Sequence, residues 1–170
     1  GKFTSRLNMK LREEKQWAYG SYSYASGAKG QRPWIAYAAV QIDKTAESIS
    51  ELRKDIAAFA TNETPASDAE VDNIKVNNVR SLPGAYETAG AVMGAIGGIV
   101  RYQRPDDYVT TLKQRTEATR IEAVHKAAGL INPQALTWVI VGDLKQIEEP
   151  VRALELGEVT VLDADGKKVR

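Results

Sequence analysis

Phe3, Leu7 and Leu11 stand four residues apart among good helix formers, and this spacing predicts a helix from Phe3 to about Lys15 with one apolar face. The period then changes. From Trp17 to Ala25 the aromatic residues Tyr22 and Tyr24 alternate with Ser21 and Ser23, the two-residue repeat of a strand, and Gly27 to Pro33 supplies turn residues. Trp34 to Ile42 reads as the antiparallel mate of that strand. Asp43 and Thr45 can cap a helix whose apolar positions Ile49, Leu52, Ile56 and Phe59 recur at three and four, the pattern of an amphipathic helix on a sheet.

Beyond Thr61 to Ala66, Ser67 with Glu70 three residues on is a capping box opening a helix through Val71 and Ile74 to about Arg80. Tyr86, Val92, Met93, Ile96 and Ile99 mark a further helix dotted with Gly90, Gly94, Gly97 and Gly98. Glycine there lowers helix propensity unless close packing compensates, so a buried, crowded helix is expected. Pro105 opens a helix from Asp106 to about Arg115, and Thr119 with Glu122 predicts a second capping box for a helix stopped by Gly129. Leu136 to Val141 is a nearly unbroken apolar run, fitting a central strand covered by helices. A short helix to about Leu156 follows, then an edge strand over Val159 to Leu162 and a solvated, flexible tail over 163–170.

This order predicts an α+β domain over 1–170, a mainly antiparallel sheet with helices packed on one face. Three strands are few for so many helices, which suggests that part of the sheet is missing.

Composition changes the picture mainly by exclusion. The 23 Lys and Arg balance 22 Asp and Glu, and no long run of one sign marks a nucleic-acid or membrane surface. No cysteine is present, which removes disulfides, thiolate nucleophiles and thiolate zinc sites together. The apolar stretch Ala89 to Val100 is too short to span a bilayer. The single histidine, His125, offers at most one metal ligand, whereas an inverted zinc motif needs two on one helix face. Ser21, Ser23 and Ser26 lack a nucleophile elbow, and the adjacent pairs Glu13-Glu14 and Glu148-Glu149 point in different directions on a helix. The repeat Gly90, Gly94, Gly98 has neither the strand nor the Gly-Lys-Ser/Thr ending of a phosphate loop.

Arg12 and Tyr19 differ in kind. One lies near a helix end and the other near a strand start, so they can converge although seven residues separate them. A guanidinium fork and a phenol suit an oxyanion developing on a peptide carbonyl. By chemistry alone the plainer reading is that Arg12 pairs with a surface carboxylate while Tyr19 fills the sheet.

The stretch Gly1-Lys2-Phe3-Thr4-Ser5-Arg6-Leu7-Asn8, followed by Leu11-Arg12-Glu13-Glu14-Lys15 and Tyr19-Gly20, resembles the pitrilysin/insulinase family of zinc peptidases. In that family a helix with the pattern G-x-F-x-S-R-L ends in L-R-E, and a strand beginning Tyr-Gly follows. The likeness continues more loosely through Val40 to Ser48, Leu82 to Thr88, Leu136 to Asp143 and Leu156 to Val159. Two halves of such an enzyme close around an unfolded peptide. One brings zinc, held through H-x-x-E-H, and the catalytic Glu; this chain has no such motif. The other contributes an Arg and a Tyr that contact the substrate backbone and help stabilise the transition state.

The resemblance implies that Arg12 and Tyr19 hold those places, assisting in trans a zinc-bearing half or subunit, with no cofactor in this chain. It also favours a periplasmic setting. The alternative is a catalytically inactive structural or processing-complex subunit of the same fold. One departure is Gln16-Trp17-Ala18 in place of the commoner Gly-aromatic-small sequence before the Tyr. A domain of this family begins well before the signature, so the chain reads as cut after its first strands, with open sheet edges that favour self-association.

Overall fold

The first helix forms over a shorter span than its apolar spacing predicts, and in two windings. The computed structural model describes residues 3–170; Gly1 and Lys2, which open the stretch carrying the resemblance, lie outside the described residues. Helix α1 (Arg6–Asn8) runs directly into a π-helical segment, Met9–Glu14. Its wider turn is visible where the Lys15 N–H donates to the carbonyl of Lys10, five residues back, at 3.0 Å. Strands β1 (Ala18–Ala25) and β2 (Trp34–Val40) follow as predicted and form a two-stranded antiparallel sheet. Tyr22 and Tyr37 face each other across it with ring centroids 5.1 Å apart, a cross-strand contact that helps hold register.

Six more helices complete the α+β fold: α2 (Thr45–Ala60), α3 (Asp68–Ser81), α4 (Ala89–Tyr102), α5 (Leu112–Glu117), α6 (Ile121–Ala128) and α7 (Leu144–Arg152). The chain divides into two compact units, one of Gly1–Ser23, Ala36–Asp55 and Thr137–Arg170, the other of Tyr24–Ile35 and Ile56–Leu136. The buried apolar residues of the first are Leu11, Ile49, Leu52, Ile147 and Val151; those of the second are Ile56, Ala60, Val71 and Ala128. The predicted stripe of α2 therefore supplies buried residues to both units.

The capping box at Ser67 and Glu70 is present in both directions: the Glu70 N–H donates to Ser67 Oγ at 3.3 Å and the Ser67 N–H to Glu70 Oε2 at 2.8 Å. The second predicted box does not form. Arg120 occupies the cap position of α6, and the Thr119 hydroxyl instead donates back to the Arg115 carbonyl at 3.2 Å, ending α5. A Ser/Thr-x-x-Glu spacing permits a box, but a hydroxyl within reach of a preceding helical carbonyl has a competing partner.

Two larger expectations are corrected. Leu136 to Val141 is not a strand: no ladder pairs it among the described residues, and Val139 and Val141 are 85% and 94% exposed. Its burial still alternates, so the segment keeps the side-chain period of a strand without a neighbour to satisfy the backbone. Nor is α4 buried. Met93 and Val100 are 66% and 73% exposed, and a Cβ placed on Gly90, Gly94 or Gly97 would meet nothing within 4 Å. Apolar content sets a preference for burial, but only a facing element can fulfil it. Among the described residues no helix is long and apolar enough to cross a membrane.

At the C-terminus the predicted edge strand is reduced to a short pairing. Leu162 bridges Lys168, and the Val169 N–H donates to the Val161 carbonyl at 2.8 Å, so exposed residues 163–170 turn back on the chain.

Asp55 in α2 makes a prediction for pH. Burial lifts its carboxyl above the ordinary 3.8, only partly opposed by Lys10, with Glu51 raising it further. Because the folded state holds this proton more tightly, the associated stability is present below about 3.8 and is lost as pH rises through the folded value. Asp55→Asn is therefore expected to raise stability at neutral pH and to bring no gain well below 3.8, as urea unfolding at the two pH values would read. A destabilised variant at neutral pH would contradict this.

Candidate functional site

Arg12 lies in the π-helical segment, and its guanidinium carbon sits 4.7 Å from the ring centroid of Phe3 and 5.5 Å from that of Tyr19. Its Nε is also 3.3 Å from Glu13 Oε1. The plainer reading is thus half met, because Arg12 does have a carboxylate neighbour. Tyr19, however, does not fill the sheet; it is 87% exposed at the start of β1. A solvent-facing ion pair between adjacent residues is worth at most about 1 kcal/mol, so Glu13 holds the guanidinium only loosely. The aromatic contacts orient it without consuming its N–H donors.

Backbone chemistry explains why the two side chains meet. Gln16 takes φ 57°, the left-handed conformation, and reverses the chain between the π-helical segment and β1. The Trp17 N–H then donates to the Leu11 carbonyl at 2.9 Å, the Gln41 N–H to the Trp17 carbonyl at 2.8 Å, and Gln41 Nε2 to the Gln16 carbonyl at 2.9 Å. Left-handed backbone costs an ordinary residue about 1–2 kcal/mol and costs glycine little. The Gln at this position, noted above as a departure from a Gly, keeps the turn at the expense of strain. Gln16→Gly is expected to stabilise the fold by up to about 1 kcal/mol in thermal unfolding, after the extra entropy of glycine is subtracted. A loss of stability would mean that the Gln side chain contributes more than its backbone costs.

Asn8 is a residue to which the sequence reading assigned no role. It is only 4% exposed; its Oδ1 accepts the Ser21 N–H at 3.1 Å and its Nδ2 donates to the Phe3 carbonyl at 2.7 Å. One buried amide thus ties the segment before α1, at Phe3, and the end of α1 to Ser21 of β1. The available signal was a polar residue three positions before Leu11, on a helix face otherwise suited to burial. Asn8→Ala should cost about 1–3 kcal/mol, because it strands the buried Ser21 N–H. Chemical denaturation would check this, and a neutral result would show that water can replace the amide.

The other candidates fall to ordinary structural tasks. His125 Nε2 donates to the Ala66 carbonyl at 2.8 Å, and the described residues contain no cluster of three His, Cys, Asp or Glu able to hold a metal. Residues of this kind do not fit a zinc site. Ser21 is 6% exposed, out of reach of a substrate. Of the carboxylate pairs, Glu14 faces Lys10 at 3.5 Å and Glu148 faces Arg152 at 3.0 Å, which makes them ion-pair partners rather than acid and base. What remains is an exposed phenol beside a half-buried guanidinium, two donors suited to an electron-rich oxygen.

Residues 1–78 match a family model described as the peptidase M16 inactive domain. No curated protein matches the chain. Among solved structures, the chain is similar to a peptidase M16 inactive domain from Pseudomonas fluorescens, with a TM-score of 0.67 and 21% identity over 78% of this chain. The chain spans 31% of the length of that structure.

Proposed function

We propose that this chain, whose residues 1–78 match a family model described as the peptidase M16 inactive domain, is part of the substrate-binding, non-zinc half of a zinc metallopeptidase, acting in proteolysis with a zinc-bearing half or subunit. The observation that supports it is the Arg12–Tyr19 pair, in which a phenol 87% exposed lies beside a guanidinium. Neither group can activate water. Both can donate to the carbonyl of an extended peptide and to an oxyanion developing on it, for which a zinc-bearing half would supply the activated water. In this reading Arg12 holds the carbonyl and Tyr19 donates to the oxyanion.

Open backbone supports a further partner, a second copy of the chain. Val139 and Val141 stand exposed in an unpaired segment with alternating burial, which invites strand addition. Concentration-dependent sizing that showed a monomer throughout would remove this part of the reading.

A second reading, a structural subunit of the same fold, draws support from the Arg12–Glu13 contact, which engages the guanidinium within the chain. The deciding experiment is hydrolysis of an unfolded peptide by the intact polypeptide carrying this chain, with and without the zinc-bearing half. Activity that requires both sides supports the substrate-binding role. Stable assembly without hydrolysis in any combination would favour the structural subunit.

A further inference from the structure

The second unit contains a basic cavity of about 440 Å³ where the loop between β1 and β2 meets the C-terminal end of α4. Its lining includes Gly27, Lys29, Arg32, Arg101, Tyr102 and Arg104, and no acidic residue. None of these four cations is ion-paired with a carboxylate among the described residues.

Local structure makes them converge. Helix α4 ends at Gln103 in the left-handed conformation, with φ 49°, and the Arg104 N–H returns to the Ile99 carbonyl at 3.0 Å. This turn sends the Arg104 guanidinium back over the rings of Tyr102 and Tyr108, at 4.8 and 4.3 Å from their centroids. The loop closes from the other side: a Cβ on Gly27 would lie 2.8 Å from the Tyr102 hydroxyl, so a larger residue there would push that ring aside. Arg32 is fixed there by its Nε donating to the Ser26 carbonyl at 3.0 Å.

A helix C-terminus attracts cations, but its effective charge is only about half an elementary charge. Four full positive charges exceed that several-fold, so the end of α4 accounts for a minor part of the cluster. The remainder calls for an anion. We propose that this cavity binds an acidic peptide segment, its Asp or Glu carboxylates taken singly by the guanidinium forks and the Lys29 ammonium. The helix presents carbonyls here rather than the N–H groups that cradle phosphate at a helix N-terminus, so an anion of either kind has to be held by the cationic side chains alone. Carboxylates spaced along a peptide can each find a separate fork. The volume falls within the range of pockets that hold small ligands, roughly 300–1,000 Å³, and has room for more than one side chain. The site lies wholly in the second unit, so the inference stands apart from the Arg12–Tyr19 reading.

The test is fluorescence anisotropy on the intact polypeptide with labelled octaglutamate, labelled octaglutamine as control, and inorganic triphosphate as competitor. Octaglutamate is expected to bind at least about tenfold more tightly than octaglutamine, with affinity falling as salt rises. Lys29→Glu combined with Arg101→Glu should weaken it by at least about tenfold again. Lys29→Gln alone should weaken it in the same direction with an unchanged circular dichroism spectrum, which separates loss of the site from loss of the fold. Equal binding of the two peptides, or full affinity in both variants, would overturn the proposal. Triphosphate displacing the probe far below the concentration at which unlabelled octaglutamate does so would overturn it in favour of a phosphate ligand.

Discussion

Replacing Tyr19 with Phe is expected, on the proposed substrate-binding role, to lower peptide turnover with a zinc-bearing half on the order of 10²-fold, the usual loss when one oxyanion donor is removed. The substitution isolates the hydroxyl. Phe retains the ring that Arg12 faces at 5.5 Å, and a side chain 87% exposed contributes little to the core, so unfolding should be unchanged. The loss should appear in kcat as well as kcat/KM, because the hydrogen bond strengthens only as negative charge develops on the carbonyl oxygen. A raised KM with unchanged kcat would instead make Tyr19 a ground-state contact. Unchanged kinetics would remove it from the site altogether.

Leu11→Ala should produce the largest loss of stability. Leu11 is 1% exposed, and truncating such a side chain costs about 2–5 kcal/mol from lost transfer energy and the cavity left behind. In a chain of this length that corresponds to a fall in Tm of roughly 5–20 °C, measurable by circular dichroism. Leu11→Met, which nearly conserves volume, should cost less than about 1.5 kcal/mol and serves as the comparison. The effect reaches the Arg12–Tyr19 pair as well, since Leu11 adjoins Arg12 and its carbonyl accepts the Trp17 N–H that begins the approach to β1. A loss under about 1 kcal/mol for Leu11→Ala would mean that neighbouring residues collapse readily into the space.

The legible parts of the fold were those carried by local chemistry. The hairpin showed itself through alternation flanking a Gly- and Pro-bearing turn, α2 through Ile49, Leu52 and Ile56, and α3 through the reciprocal bonds of Ser67 and Glu70. The illegible parts depended on partners distant in sequence. Leu136 to Val141 has the composition of a central strand yet lacks a neighbour, and α4 has the composition of a core helix yet presents Met93 and Val100 to solvent. The π-helical winding under Arg12 was hidden because its residues suit an α-helix equally well.

From the sequence alone came the α+β class, the lack of any cysteine or second histidine for metal chemistry, and the family resemblance that singled out Arg12 and Tyr19. These follow from residue identity and short-range spacing, which need no knowledge of what lies across space. Only the tertiary structure decided that Asn8 is the buried tie behind that pair, that Gln16 carries the left-handed turn between them, and that the cations flanking Tyr102 meet those of a distant loop. Each of these depends on backbone direction and on which groups are left to satisfy one another after packing, and neither is written in any window of sequence.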